Sequence, residues 1–200
     1  MIAYDLIGQT PLVLLESFSD ENVKIYAKLE QFNPGGSIKD RLGKYLIEKA
    51  IDEGRLKEGD TIVEATAGNT GIGLAIASNR HKVKCIIFAP EGFAEEKISI
   101  MKALGADVRR TPKVEGMTGA QQEALAYATR YGYLYMNQFE TKDNPGAYTQ
   151  TLAKQLTDEL SHIDYFVAGV GSGGTFTGVA QHLKTYDVKN YIVEPEGSVL

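Results

Sequence analysis

Short runs of branched and aromatic residues alternate along this chain with longer stretches in which apolar residues recur three or four positions apart. That rhythm predicts strands and helices in turn. Strands are expected at Thr61–Ala65, Lys84–Ala89, Asp107–Thr111, Tyr133–Met136, Tyr165–Gly169 and Tyr191–Glu194. Helices are expected at Lys39–Glu53, Gly71–Asn79, Ala94–Leu104, Thr118–Tyr131, Gly146–Leu160 and Thr175–Lys184. The first helix is the clearest, with Leu42, Leu46 and Ala50 spaced by four and Gly54 as its stop. Strands alternating with helices imply crossover connections and an α/β fold whose mostly parallel sheets are covered on both faces. Sites in such sheets lie beyond the carboxyl ends of the strands. The polar stretch Gln138–Gly146, QFETKDNPG, interrupts the rhythm and is expected to join two units closing on a cleft.

Composition narrows the function. A chain of 200 residues, 43% apolar, can bury a sizeable core, and a net charge of -5 offers no basic stripe for a nucleic-acid backbone. Small-molecule chemistry is the better expectation, with no nucleic acid and no membrane as partners. No apolar run is long enough to cross a bilayer, and Met1–Leu6 lacks a secretory pattern, so a cytoplasmic address is expected. Cys85 lies in the apolar run KCIIF and reads as a core residue. His81, His162 and His182 are scattered, so no metal site is expected.

Three segments carry candidate chemistry. In NPGGSIKDR, Asn33 to Arg41, Pro34, Gly35 and Gly36 make a turn, Ser37 is placed to cap a helix, and Asp40 three residues later would complete a capping box. Lys39 then falls in the first turn, where the helix dipole disfavours a charged amine by about 0.3 to 1 kcal/mol. A lysine that attacks a carbonyl must be neutral. Taken alone, the segment also suits a solvent-facing lysine beside Asp40. The second segment, Thr66-Ala67-Gly68-Asn69-Thr70, links a strand to a helix, and its free amides should hold a carboxylate. An ordinary turn capped by Asn69 or Thr70 is the alternative.

The third segment, Gly171-Ser172-Gly173-Gly174-Thr175, also opens a helix, and its bare backbone and hydroxyls suit a phosphate monoester. Gly169, Gly171 and Gly174, with Glu194 lying 20 residues past the last of them, equally spell a dinucleotide fingerprint. That pattern would make the protein a dinucleotide-binding oxidoreductase, leaving Lys39 and the Asn69 turn without a task.

In their order, these motifs resemble the cysteine synthase and cystathionine beta-synthase family, from IGQTPLV through NPGGSIKDR, TAGNTGIGLA, GFAEEKISIMKALGA, Asn137-Gln138-Phe139 and GVGSGGTFTGVA to VEPEGS. The resemblance implies a fold type II pyridoxal-phosphate enzyme, tryptophan synthase beta-like, with two doubly wound, mostly parallel sheets. Its smaller mobile substrate-side domain would span 41–143; its larger cofactor-phosphate domain would be formed by 1–40 plus 144–200 and be incomplete at its carboxyl end. Lys39 would carry pyridoxal 5'-phosphate, Asn69 would bond its ring hydroxyl, and Gly171, Ser172, Gly173, Gly174 and Thr175 would hold its phosphate. Thr66, Ala67, Gly68, Asn69, Thr70 and Gln138 would receive the substrate carboxylate. Ala67 stands where many members have Ser, which points towards the branch that accepts homocysteine.

The implied reaction replaces the β substituent of O-acetylserine or serine with sulfide or homocysteine, in a homodimer. A non-catalytic form holding another protein's carboxyl-terminal tail in the cleft is the remaining expectation.

Overall fold

The alternation is realised as a central four-stranded sheet and a smaller parallel pair, in a computed structural model that describes residues 2–197. Met1, Val199, Leu200 and Ser198, the last residue of VEPEGS, lie outside the described residues. The chain opens with a hairpin of β1 (Leu12–Leu14) and β2 (Tyr26–Lys28), paired antiparallel with Leu12 opposite Lys28. Next come α1 (Lys39–Asp52), β3 (Thr61–Ala65), α2 (Asn69–Arg80), β4 (Lys84–Pro90), α3 (Glu95–Ala103), β5 (Asp107–Thr111), α4 (Gly116–Tyr131) and β6 (Leu134–Tyr135). The four strands run parallel in the order β5-β4-β3-β6.

This sheet is buried on both faces, so its central strands read as continuous apolar runs rather than alternating ones. Ile62 of β3 and Cys85 and Ile87 of β4 point towards Leu42, Leu46 and Leu74 of α1 and α2. Val63, Ala65, Ile86 and Phe88 point the other way, onto Ala120, Ala124 and Ala128 of α4. Cys85 is a core residue, and burial pushes its thiol up to about 12.

Helices α1 and α2 cross at two glycines. A Cβ on Gly43 would stand 2.2 Å from the carbonyl carbon of Gly73, so the backbones touch where any side chain would hold them apart. The buried Arg41 ties the hairpin to α1 by donating to Glu30 at 2.8 Å, to Thr10 and to the Gly8 carbonyl.

The second half holds α5 (Asp143–Tyr148), a π turn (Thr149–Ala153) and α6 (Lys154–Glu159), then β7 (Tyr165–Gly169), α7 (Gly174–Leu183) and β8 (Lys189–Val193). β7 and β8 pair parallel across α7, with Tyr165 beside Lys189. Among the described residues, no helix is long and apolar enough to cross a membrane.

Two sequence expectations are corrected in detail. The capping box does not form: Ile38 is the cap of α1, and the Asp40 carboxylate accepts from the Gly35 amide across the preceding turn. Ser37 Oγ accepts from the Lys39 amide at 3.1 Å. Within the stretch Gln138–Gly146, α5 begins at Asp143 and both Gln138 and Asn144 are buried. Asn144 donates to the Gln138 carbonyl at 2.7 Å, while Glu140 and Lys142 remain exposed. The last strand begins at Lys189, two residues before the run expected at Tyr191, and ends before Glu194, which is exposed.

Candidate active site

The three chemistry-bearing segments converge at the carboxyl ends of β3 and β7. Lys39 is the first residue of α1, and its Nζ reaches Ser172 Oγ at 3.3 Å, bridging the first segment to the third. The amine also lies 5.9 Å from the centre of the buried Tyr148 ring. Burial pushes it below the usual lysine value, which raises the share of neutral, nucleophilic amine.

The second segment follows β3. Its fold is local: Thr66 Oγ1 accepts from the Gly68 amide at 3.1 Å, and Asn69 then opens α2. Thr66, Ala67 and Thr70 are buried, while Gly68 and Asn69 are partly open. The α1–α2 glycine crossing sets this turn beside Lys39, because Gly73, four residues after Asn69, lies against the Lys39 carbonyl. Gln138 joins from the loop after β6, where Thr70 Oγ1 donates to its Oε1 at 2.7 Å.

The third segment follows β7. Gly173, at φ 78°, caps α7 in the left-handed region that a side chain disfavours. Gly174 begins the helix so close to Asn144 that a Cβ would stand 1.8 Å from its Oδ1. A Cβ on Gly171 would meet nothing within 4 Å. The turn therefore packs tightly behind Gly174 and is open at Gly171, and free amides of the α7 start lie beside the Lys39 amine.

Two residues that the sequence reading passed over hold these segments together. Glu64 is fully buried in β3, and its carboxylate accepts from the Ala65 amide at 2.7 Å and the Gln138 amide at 3.1 Å. Burial pushes it up to about 7. The β3–β6 ladder runs as far as the bond from the Met136 amide to Val63, after which Asn137 turns left-handed at φ 46°. Glu64 thus catches Gln138 where the chain leaves the sheet. Asn144, the second residue of α5, donates to the Gln138 carbonyl at 2.7 Å and to Ser172 Oγ at 3.0 Å. A carboxylate inside the buried strand TIVEA was the available sequence signal for Glu64; Asn144 had none beyond its place in a polar run.

Among the described residues, no group of three or more His, Cys, Asp or Glu could hold a metal ion. The site is a buried amine between two helix starts.

Comparison with known proteins gives the arrangement a family. The chain is 50% identical over 201 residues to O-acetylserine dependent cystathionine beta-synthase of Bacillus subtilis, covering 98% of this chain and 66% of that protein. It is 47% identical over 207 residues to cysteine synthase of Helicobacter pylori, again covering 98% and 66%. The crystal structure of O-acetylserine dependent cystathionine beta-synthase from Helicobacter pylori superposes with a TM-score of 0.93 at 46% identity, over 100% of this chain and 69% of that one. The chain thus spans about two thirds of the length of the curated relatives it matches. The pyridoxal-phosphate dependent enzyme family matches residues 3–200, and with that match and the shared fold this chain belongs to that family of fold type II enzymes.

Proposed function

We propose that the protein replaces the β substituent of O-acetyl-L-serine, or of serine, with a thiol, giving cysteine from sulfide or cystathionine from homocysteine. The observation that carries this reading is the Lys39 amine, buried, lowered in pKa and held 3.3 Å from a hydroxyl of the α7 turn. The α7 start beside that amine supplies amides, two hydroxyls and space before Gly171, which are what a phosphate ester needs. The residues present therefore fit pyridoxal phosphate. Gly171, Ser172, Gly173, Gly174 and Thr175 would hold the phosphate, and Asn69 at the start of α2 would meet the ring hydroxyl. The dinucleotide reading gives the Lys39 contact with Ser172 no role.

When bound, the cofactor supplies a pyridine ring that withdraws electrons from the substrate's α carbon. Lys39 takes the α proton onto Nζ and later returns it, and Ser172 Oγ accepts an N–H from the resulting ammonium. Thr66 to Thr70 and Gln138 orient the substrate carboxylate, keeping the α C–H bond facing Lys39. The proposed mobile unit, 41–143, contains the central sheet and the Asn69 turn; the proposed fixed unit, 1–40 plus 144–200, contains the α7 turn. Separate sheets support that division. A homodimer and a cytoplasmic address are part of the same proposal.

The test is to load the purified protein with pyridoxal phosphate, trap the adduct with borohydride and map it. The pyridoxyl group is expected on Lys39; a label on another lysine overturns the assignment. The loaded protein is then given O-acetylserine with sulfide and homocysteine in competition. Formation of neither thioether nor cysteine counts against the reaction. In the active protein, Gln138→Ala should lose roughly 10-fold to 150-fold in kcat/KM, the equivalent of one charged hydrogen bond of about 1.5 to 3 kcal/mol.

A further inference from the structure

We infer that Asn144 is a positioning residue that couples the Gln138 loop to Ser172, and through Ser172 to Lys39. The inference rests on the proposed reading of Gln138 as a substrate-carboxylate ligand and Lys39 as the cofactor lysine.

Asn144 is 2% exposed and sits between the two loops. One of its partners, the Gln138 carbonyl at 2.7 Å, can only accept, so the amide nitrogen must face it and the orientation of the side chain is fixed. The second hydrogen of that nitrogen goes to Ser172 Oγ at 3.0 Å. Ser172 Oγ also receives Lys39 Nζ at 3.3 Å, so its two lone pairs are taken and its own hydrogen is left to point elsewhere. Asn144 therefore decides the orientation of the hydroxyl that touches the catalytic amine. A residue that merely filled space would not need this pattern of donors.

The other end is equally constrained. Gln138 donates its amide to Glu64 and accepts from Thr70 through Oε1. The connected series is Glu64, Gln138, Asn144, Ser172, Lys39, and it passes through β3, the loop after β6, α5, the turn before α7 and α1. Oδ1 of Asn144 is buried without a partner and faces Gly174, where a Cβ would stand 1.8 Å away. A buried carbonyl oxygen left unbonded forfeits the hydration it would have in the unfolded chain. That cost is tolerated because turning the amide over would break both bonds made by the nitrogen. Asp143 pairs the start of α5 with Lys49 of α1 and with Arg55 just beyond that helix, which limits independent movement of Asn144. A carboxylate drawing on Gln138 thus changes the hydrogen bonding of Ser172 without touching it.

The experiment follows hydrogen exchange in the cofactor-loaded protein with and without L-serine as the carboxylate probe. In the parent, L-serine should slow exchange several-fold both around Gln138 and across 171–175. In Asn144→Asp, which has nearly the same shape but cannot donate when ionised, and in Asn144→Ala, protection around Gln138 should persist while that across 171–175 disappears. Ser172→Ala removes the other end of the bond without altering the buried amide, and should uncouple the segments in the same way. Protection of both segments in the Asn144 variants overturns the inference, as does protection confined to Gln138 in the parent. Loss of protection at both segments in a variant that keeps its cofactor overturns it in favour of a purely structural role. If L-serine protects neither segment of the parent, the proposed function of Gln138 falls, and the coupling with it.

Discussion

Gly73 and Lys39 meet across the α1–α2 crossing so closely that a Cβ on Gly73 would stand 2.4 Å from the Lys39 carbonyl oxygen. The position of the amine is therefore set by the absence of a side chain on the neighbouring helix. Gly73→Ala gains helix propensity of up to about 1 kcal/mol but must push α1 away, and overpacking of this kind costs about 1 to 3 kcal/mol. A lower urea midpoint is expected, together with slower borohydride-trapped labelling of Lys39. An unchanged labelling rate would mean that α1 shifts without moving the amine.

The buried amine also makes stability depend on pH. Its folded pKa lies below the ordinary value of 10.5, so between the two the unfolded chain binds more protons than the native one, and stability rises with pH through that window. Below the folded pKa the cost of burying the ammonium is fully present. Cofactor-free Lys39→Met should therefore be more stable than the parent at neutral pH, and its advantage should shrink as pH approaches 10.5. Urea midpoints at a series of pH values measure this; a difference that does not change with pH would contradict it.

Glu64 has the opposite linkage. Its folded pKa of about 7 exceeds the ordinary 4.5, so the native state holds the extra proton and the group's contribution to stability falls as pH rises from 4.5 to about 7. Glu64→Gln should remove that slope. It also gives up one of the two N–H bonds that the ionised carboxylate accepts, since the amide of Gln has a single acceptor oxygen, and that loss bears only on the range above about pH 7. Parallel curves for parent and variant would exclude Glu64 as the titrating group.

The sheet was legible because β3 and β4 are buried on both faces and are mostly apolar. The starts of α1, α2 and α7 were legible because glycine, serine and asparagine favour the turns that open helices. The hairpin of Leu12–Leu14 and Tyr26–Lys28 was not, since three-residue strands are too short to show a period and pair across a long loop. Asp40 was assigned the right neighbourhood and the wrong partner: a carboxylate at that spacing reaches Ser37 in an isolated helix, but here the preceding turn brings Gly35 closer. The burial within Gln138–Gly146 was not legible for a general reason. Polar residues and a proline usually mark exposed chain, but Asn144 and Gln138 satisfy each other inside the protein, and Pro145 falls in the first turn of α5, where its missing N–H costs nothing.

The π turn at Thr149–Ala153 makes the count of residues there a matter of angular phase. Each residue of an ordinary helix advances about 100° around the axis and about 1.5 Å along it, and a π turn accommodates one residue more than that rhythm allows. Deleting a single residue between Thr149 and Ala153 would let the helix run on regularly from Asp143 to Glu159. Its two ends would then be rotated against each other by roughly a quarter turn, and with α6 still seated in the core, Asn144 would swing off both Gln138 and Ser172. Helix content would rise while the alignment of the two loops was lost, so in this stretch the length of the chain constrains the site as tightly as the identity of its residues.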